Sequence, residues 1–93
     1  MQYGILVHEP ADDVGVAVMD LKAGAEIGAA TLEGQSLGSV VMAADVPLGH
    51  KVALHDLPLD KQVIEYGYPI GKAFQAVPKG GHVHTHNIKT NRW

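Results

Sequence analysis

The sequence predicts an all-β domain of short strands joined by tight turns. Three observations carry that expectation. Eleven glycines and five prolines recur at short intervals along 93 residues, the apolar runs between them are brief and rich in Val and Ile, and no window sustains the apolar period of an amphipathic helix. β-Branched side chains suit a pleated, half-buried surface, and Gly and Pro supply the reversals between strands.

The candidate strands are residues 4–8, 14–19, 39–43, 51–54, 62–66, 70–75 and 81–88. Residues 23–32 admit a short helix, a turn or a strand: Ala and Glu favour a helix, but Gly24 and Gly28 weaken it. An internal echo orders these elements. Asp20-Leu21-x-x-Gly24-x-x-Ile27 returns as Asp45-Val46-x-x-Gly49-x-x-Val52, as Asp56-Leu57-x-x-Asp60-x-x-Val63 and, less closely, as Ala76-Val77-x-x-Gly80-x-x-Val83. In each copy a branched apolar residue enters a turn, often followed by Pro. Gly or Asp then takes a positive φ, and an apolar residue opens the next strand. The unequal spacing of the copies excludes a regular solenoid and favours a compact β fold with repeated turn chemistry.

The length suits one domain over residues 1–93 and one modest core. Seven Lys and Arg against ten Asp and Glu, a net charge of −3, give no cationic excess to neutralise phosphates, so nucleic acid is not an expected partner. The absence of cysteine excludes a disulfide scaffold, a thiolate zinc site and a cysteine nucleophile. Packing, a metal or a partner chain, including a second copy, must then stabilise so small a domain. The start lacks a basic and apolar leader, and no apolar run is long enough to cross a bilayer, so a cytoplasmic protein with no membrane contact is expected.

The residue block richest in chemistry is His82-Val83-His84-Thr85-His86-Asn87, after Gly80-Gly81. On one strand the period of two puts all three imidazoles on one face, opposite Val83 and Thr85. Neighbouring members then lie about 6.6 Å apart, so a straight strand gives one metal two ligands, and the others come from His50, His55 or a partner chain. The competing reading is a solvated or anion-binding histidine surface. In Gly49-His50-Lys51, the turn residue His50 is a candidate acid or base. Lys51 aligns with His82 in the repeat, which suggests a comparable exposed face and a contact to a substrate carboxylate; an ordinary solvated lysine is the alternative. Glu65-Tyr66-Gly67-Tyr68-Pro69-Ile70-Gly71 reads as a structural turn, and Asp12-Asp13 as a solvated turn pair or part of a cation site. No Ser-His-Asp arrangement follows from spacing, and the chain is too small to enclose a substrate alone.

Taken together, Asp12-Asp13-Val14-Gly15-Val16-Ala17, Pro47-Leu48-Gly49-His50-Lys51-Val52-Ala53-Leu54, Ile64-Glu65-Tyr66-Gly67 with Ile70-Gly71, and Gly81-His82-Val83-His84-Thr85-His86-Asn87 resemble the SAF domain of altronate and galactarate dehydratases. The resemblance covers nearly the whole chain and implies a β-clip fold, a long bent hairpin packed on itself. The short stretch after Ile88 is similar to that of the family's free-standing small subunits. What this implies is a small subunit, inactive alone, that supplies a histidine-rich strand to an active site shared with a large catalytic lyase subunit. The implied reaction on the hydroxy-acid substrate is loss of water from an altronate- or galactarate-type sugar acid, or of sulfite from sulfolactate. Iron(II) or manganese(II) is the implied cofactor, shared with or held by the large subunit. His84, His86 and His50 become catalytic candidates, Lys51 and Asn87 substrate contacts, and His82, His84 and His86 metal ligands. A free-standing metal- or carbohydrate-binding module without a catalytic partner is the alternative.

Overall fold

A computed structural model describes residues 3–84 and 88–90, and every regular element among them is a strand. Strands β1 (Tyr3–Val7), β2 (Val14–Ala17), β3 (Glu26–Thr31), β4 (Ser36–Val41), β5 (Lys51–Ala53), β6 (Gln62–Glu65), β7 (Tyr68–Ala73), β8 (His82–Val83) and β9 (Ile88–Thr90) follow in chain order. Six of them form one sheet in the order β4-β3-β1-β2-β5-β8, and β6-β7-β9 form a second. The all-β expectation holds, in agreement with a SAF-type β fold. The ambiguous residues 23–32 become β3, which runs parallel to β1 and antiparallel to β4 and buries Ala29, Ala30 and Thr31. Pairing on both edges overrides the weak helix preference of its alanines.

One expectation needs correction. Residues 81–88 are not a single strand: β8 pairs with β5 in the first sheet, whereas β9 pairs with β7 in the second. The ladder with β5 ends at Val83, and the Ile88 amide donates to the His84 carbonyl. The period-of-two argument therefore ends at Val83.

Two apolar clusters sit on either side of the central strands. Ile5, Val7, Ala17, Leu21, Val46 and Val52 belong to the first, and Val14, Ala53, Leu57, Val63, Val77 and Val83 to the second. β2 and β5 serve both, because alternate residues of a strand face opposite ways: Val52 enters one cluster and Ala53 the other.

The repeated turns hold these layers together in pairs. Leu21 and Val46 exchange backbone hydrogen bonds, and Leu57 and Val77 do the same. All four copies place their Gly or Asp at positive φ: Gly24 (87°), Gly49 (87°), Asp60 (68°) and Gly80 (83°). Gly80 is doubly required, since a Cβ there would run into the Val41 carbonyl. In the first pair the aspartates cap reciprocally: Asp20 accepts the Leu48 amide at 2.9 Å and Asp45 accepts the Ala23 amide at 2.9 Å. In the second pair Asp56 accepts the Lys79 amide at 2.8 Å, but the reciprocal position is Ala76, which has no carboxylate for the Leu59 amide. Ala76→Asp is expected to restore that fourth cap and raise stability by about 1 kcal/mol, whereas Asp45→Ala should cost about as much. Urea unfolding of the two variants reads both changes.

Candidate functional site

The histidine site is built by the β5–β8 pairing. Val52 lies opposite His82 and Lys51 opposite Val83. Cross-strand partners share a face, so His82 is on the Val52 side. His50, two residues before Val52, is carried to that same side. It is held there by the turn bond from its amide to the Pro47 carbonyl and by its carbonyl, which accepts the Ala17 amide. The result is a direct ring contact, His50 Nδ1 to His82 Nε2 at 2.8 Å. His84, exposed just past the end of β8, completes the group with ring centroids 4.8 Å from His50 and 5.7 Å from His82.

The donor atoms of His50, His82 and His84 all lie within 4.8 Å of one another, the one such group of metal-ligating side chains among the described residues. Two imidazole nitrogens bound side by side, each about 2.1 Å from an ion, sit about 3 Å apart. The His50–His82 pair already has that separation, and His84 needs only a small side-chain movement to join. Three neutral imidazoles form a donor set suited to a first-row transition metal and leave further positions for oxygen ligands. The turn histidine thus takes the third place in the cluster. His86 and Asn87 lie outside the described residues.

The other candidates are placed elsewhere. Lys51 is on the opposite face from His82, with Nζ 3.7 Å from Oε1 of the buried Glu65. The shared exposed face expected from the repeat is therefore not formed, because register, not repeat position, decides which way each side chain points. His55 is drawn away from the cluster by Asp13, which its Nε2 meets at hydrogen-bonding distance.

Residues 3–91 match the altronate/galactarate dehydratase SAF domain. The chain belongs to this family. It is 39% identical to the (2R)-sulfolactate sulfo-lyase subunit alpha of Chromohalobacter salexigens across the full length of both chains. It is also 43% identical to the altronate dehydratase of Escherichia coli, where the match takes in 98% of this chain but 17% of that enzyme. A (2R)-sulfolactate sulfo-lyase subunit alpha of Paracoccus pantotrophus is 56% identical over 54% of this chain and 75% of that one.

Within this SAF domain Asp12 and Asp13 are not solvated: they are 2% and 4% exposed. Asp12 accepts the amides of Glu9, Tyr66 and Gly67 at 3.2, 2.9 and 3.2 Å. Tyr66 and Gly67, at φ 59° and 74°, form the two-residue reversal between β6 and β7, so the structural reading of that turn holds, and Asp12 is its anchor. Asp13 accepts the Ile64 amide at 2.7 Å, Lys61 Nζ at 3.3 Å and His55. No cation site remains there, because a lysine and a histidine of the chain already occupy it. The sequence carried one usable signal: two consecutive turn amides at residues 66 and 67 need an acceptor. No helix of the described residues is long and apolar enough to cross a membrane.

Burial pushes the Asp13 carboxyl up, but the Ile64 amide, His55 and Lys61 outweigh it and hold the group below its ordinary value. A lowered folded pKa gives stability that is present above the ordinary carboxylate range and lost as pH falls through the folded value. Asp13→Asn is expected to cost roughly 3 kcal/mol near neutral pH. The deficit should shrink on acidification, as the wild-type carboxyl takes up its proton. Urea unfolding at neutral and at acidic pH measures it.

Proposed function

We propose that this chain is the small subunit of a two-component hydroxy-acid lyase and that His50, His82 and His84 form its contribution to the shared active site. The observation that carries this reading is the three-imidazole cluster, assembled by the same Gly-His-Lys and His-Val-His blocks that mark the family. The full-length likeness to a sulfo-lyase subunit alpha supports a partner chain, and the partial likeness to altronate dehydratase supports a larger catalytic portion beyond this domain. The substrate class is a hydroxy acid that loses water, as a sugar acid does, or sulfite, as sulfolactate does.

Elimination beside a carboxylate needs a base for a weakly acidic α-proton, charge stabilisation for the enediolate and help for the departing group. A divalent iron or manganese ion held by His50, His82 and His84 would supply Lewis acidity for that charge. The chain's own residues then do three things. His50 and His82 stay fixed by the β5–β8 register, which pre-orients their lone pairs. Exposed His84 faces the partner and the substrate, with His86 and Asn87 following in the same segment. Lys51, on the opposite face, stays paired with Glu65 and braces the strand behind the imidazoles.

Co-expression with the large lyase-type chain, purification of the complex and assay of sugar acids and sulfolactate with added iron(II) tests this. Turnover is expected only with both chains present, and His50→Ala or His82→Ala is expected to lower it about 100-fold or more. Turnover by the small chain alone, or full activity in both variants, would contradict the proposal. Calorimetry on the isolated chain distinguishes the alternative of a free-standing binding module: tight metal binding with no complex formed would favour that module.

A further inference from the structure

The two turn pairs are built alike, and the second leaves one place open. In every copy the amide of the fourth turn residue (Ala25, His50, Lys61, Gly81) donates to the carbonyl of the first (Lys22, Pro47, Pro58, Pro78), and the third residue takes the positive φ. Such a type II turn makes no internal use of the amide of its second residue, which finds an acceptor elsewhere or stays in water. Aspartates of the paired copies take three of these four amides: Asp45 accepts from Ala23, Asp20 from Leu48 and Asp56 from Lys79. The fourth, the Leu59 amide, meets no acceptor among the described residues, because Ala76 stands where the aspartate would.

A groove accompanies each pair. In the first pair it holds about 300 Å³, and both aspartates, Asp20 and Asp45, line it. In the second it holds about 460 Å³ and is apolar apart from Asp56, with Leu57, Pro58, Ala76, Val77 and Pro78 in its lining. Neither Ala23 nor Leu48 lines the first groove, yet the carboxylates that reach their amides do. A carboxylate seated over Ala76 in the second groove therefore reaches the Leu59 amide in the same way. The first groove also accommodates two carboxylates at once, so Asp56 leaves room for another. One amide gives a small free anion too little to offset its hydration, whereas a protein segment that also lays apolar side chains on Pro58 and Pro78 gains burial as well. Pro78 stands four residues before His82, a span of at most about 14 Å, so a chain docked at the imidazole site reaches the groove too.

We propose that this second groove is a docking site for the large lyase-type chain, which seats an Asp or Glu side chain flanked by apolar residues over Ala76 and caps the Leu59 amide with it. The partner thereby supplies the fourth carboxylate of a set whose other three belong to this chain. The inference rests on the two-component reading and adds to it the place and the chemistry of the contact.

The test is sedimentation of the co-purified complex over a dilution series, which gives its dissociation constant, with urea unfolding of the small chain beside it. Ala76→Asp fills the place from within, so it should weaken the complex about 10- to 100-fold while the small chain becomes more stable, two effects of opposite sign that a merely damaged fold does not produce. Leu59→Pro removes the donor and adds nothing to the groove. Proline suits the second place of a type II turn, so the turn should persist and the complex should weaken about 10-fold or more. In the wild type, the Leu59 amide should exchange with water more slowly in the complex than in the small chain alone. An unchanged dissociation constant in Ala76→Asp or in Leu59→Pro, or a Leu59 amide that exchanges equally fast in both states, would overturn the docking site and leave the two-component reading standing. No complex with the wild-type chain would overturn both.

Discussion

The register of β5 on β8 is the constraint on which the rest depends. With Val52 opposite His82 and Lys51 opposite Val83, one short pairing decides three things. It sends Val52 and Val83 into different cores, brings the turn histidine His50 against His82, and turns Lys51 toward Glu65 on the other side. A slip of one residue would reverse all of them, because side chains alternate with a period of two. The paired turns guard that register: Gly49 and Gly80, at matching places in their copies, bond to the Ala17 and Ala53 carbonyls at 2.8 Å each and so bracket β5 from both ends.

The chemistry then divides between the two faces. One carries three imidazoles whose ring nitrogens lie close enough together to hold a cation. The other carries partnered carboxylates: Glu65 pairs with Lys51, and Asp13 pairs with Lys61 and shares a side-chain hydrogen bond with His55. Every acidic side chain buried there has cationic or amide partners within the chain, which makes that face a structural joint between the sheets. The imidazole face is built differently, ending at exposed His84 where the chain turns away from the ladder. A site open on one side in this way leaves room for a docked chain, which suits a family in which the same domain occurs as a separate subunit and as a fraction of a longer enzyme.

Much of this was legible in the sequence. The fourfold turn pattern marked every copy correctly, including Asp60 at a place usually given to Gly, because positive φ is a local demand that few residues meet. The three-histidine site was partly legible: His50, His82 and His84 were all candidates, but a single straight strand through residue 88 was not the right geometry. Alternating His, Val, His and Thr fits one long strand as well as a short one. Only the vacancy beside β7, filled by β9, breaks it. The burial of Asp12 and Asp13 was harder to read: the turn amides at 66 and 67 signal that an acceptor is needed, not where it lies. Apart from the Glu9 amide, the backbone donors to the pair lie 51 to 55 residues further along the chain, and no local pattern reports a partner at that distance.

The most direct measurement of the central claim is X-ray absorption on the iron(II)-loaded full-length chain, wild type beside His50→Ala. If the β5–β8 register assembles the metal site, the wild-type first shell contains three imidazole nitrogens at about 2.1 Å, and the variant loses one while keeping the others. A first shell of oxygens alone, or one unchanged by removal of the turn histidine, would contradict the account.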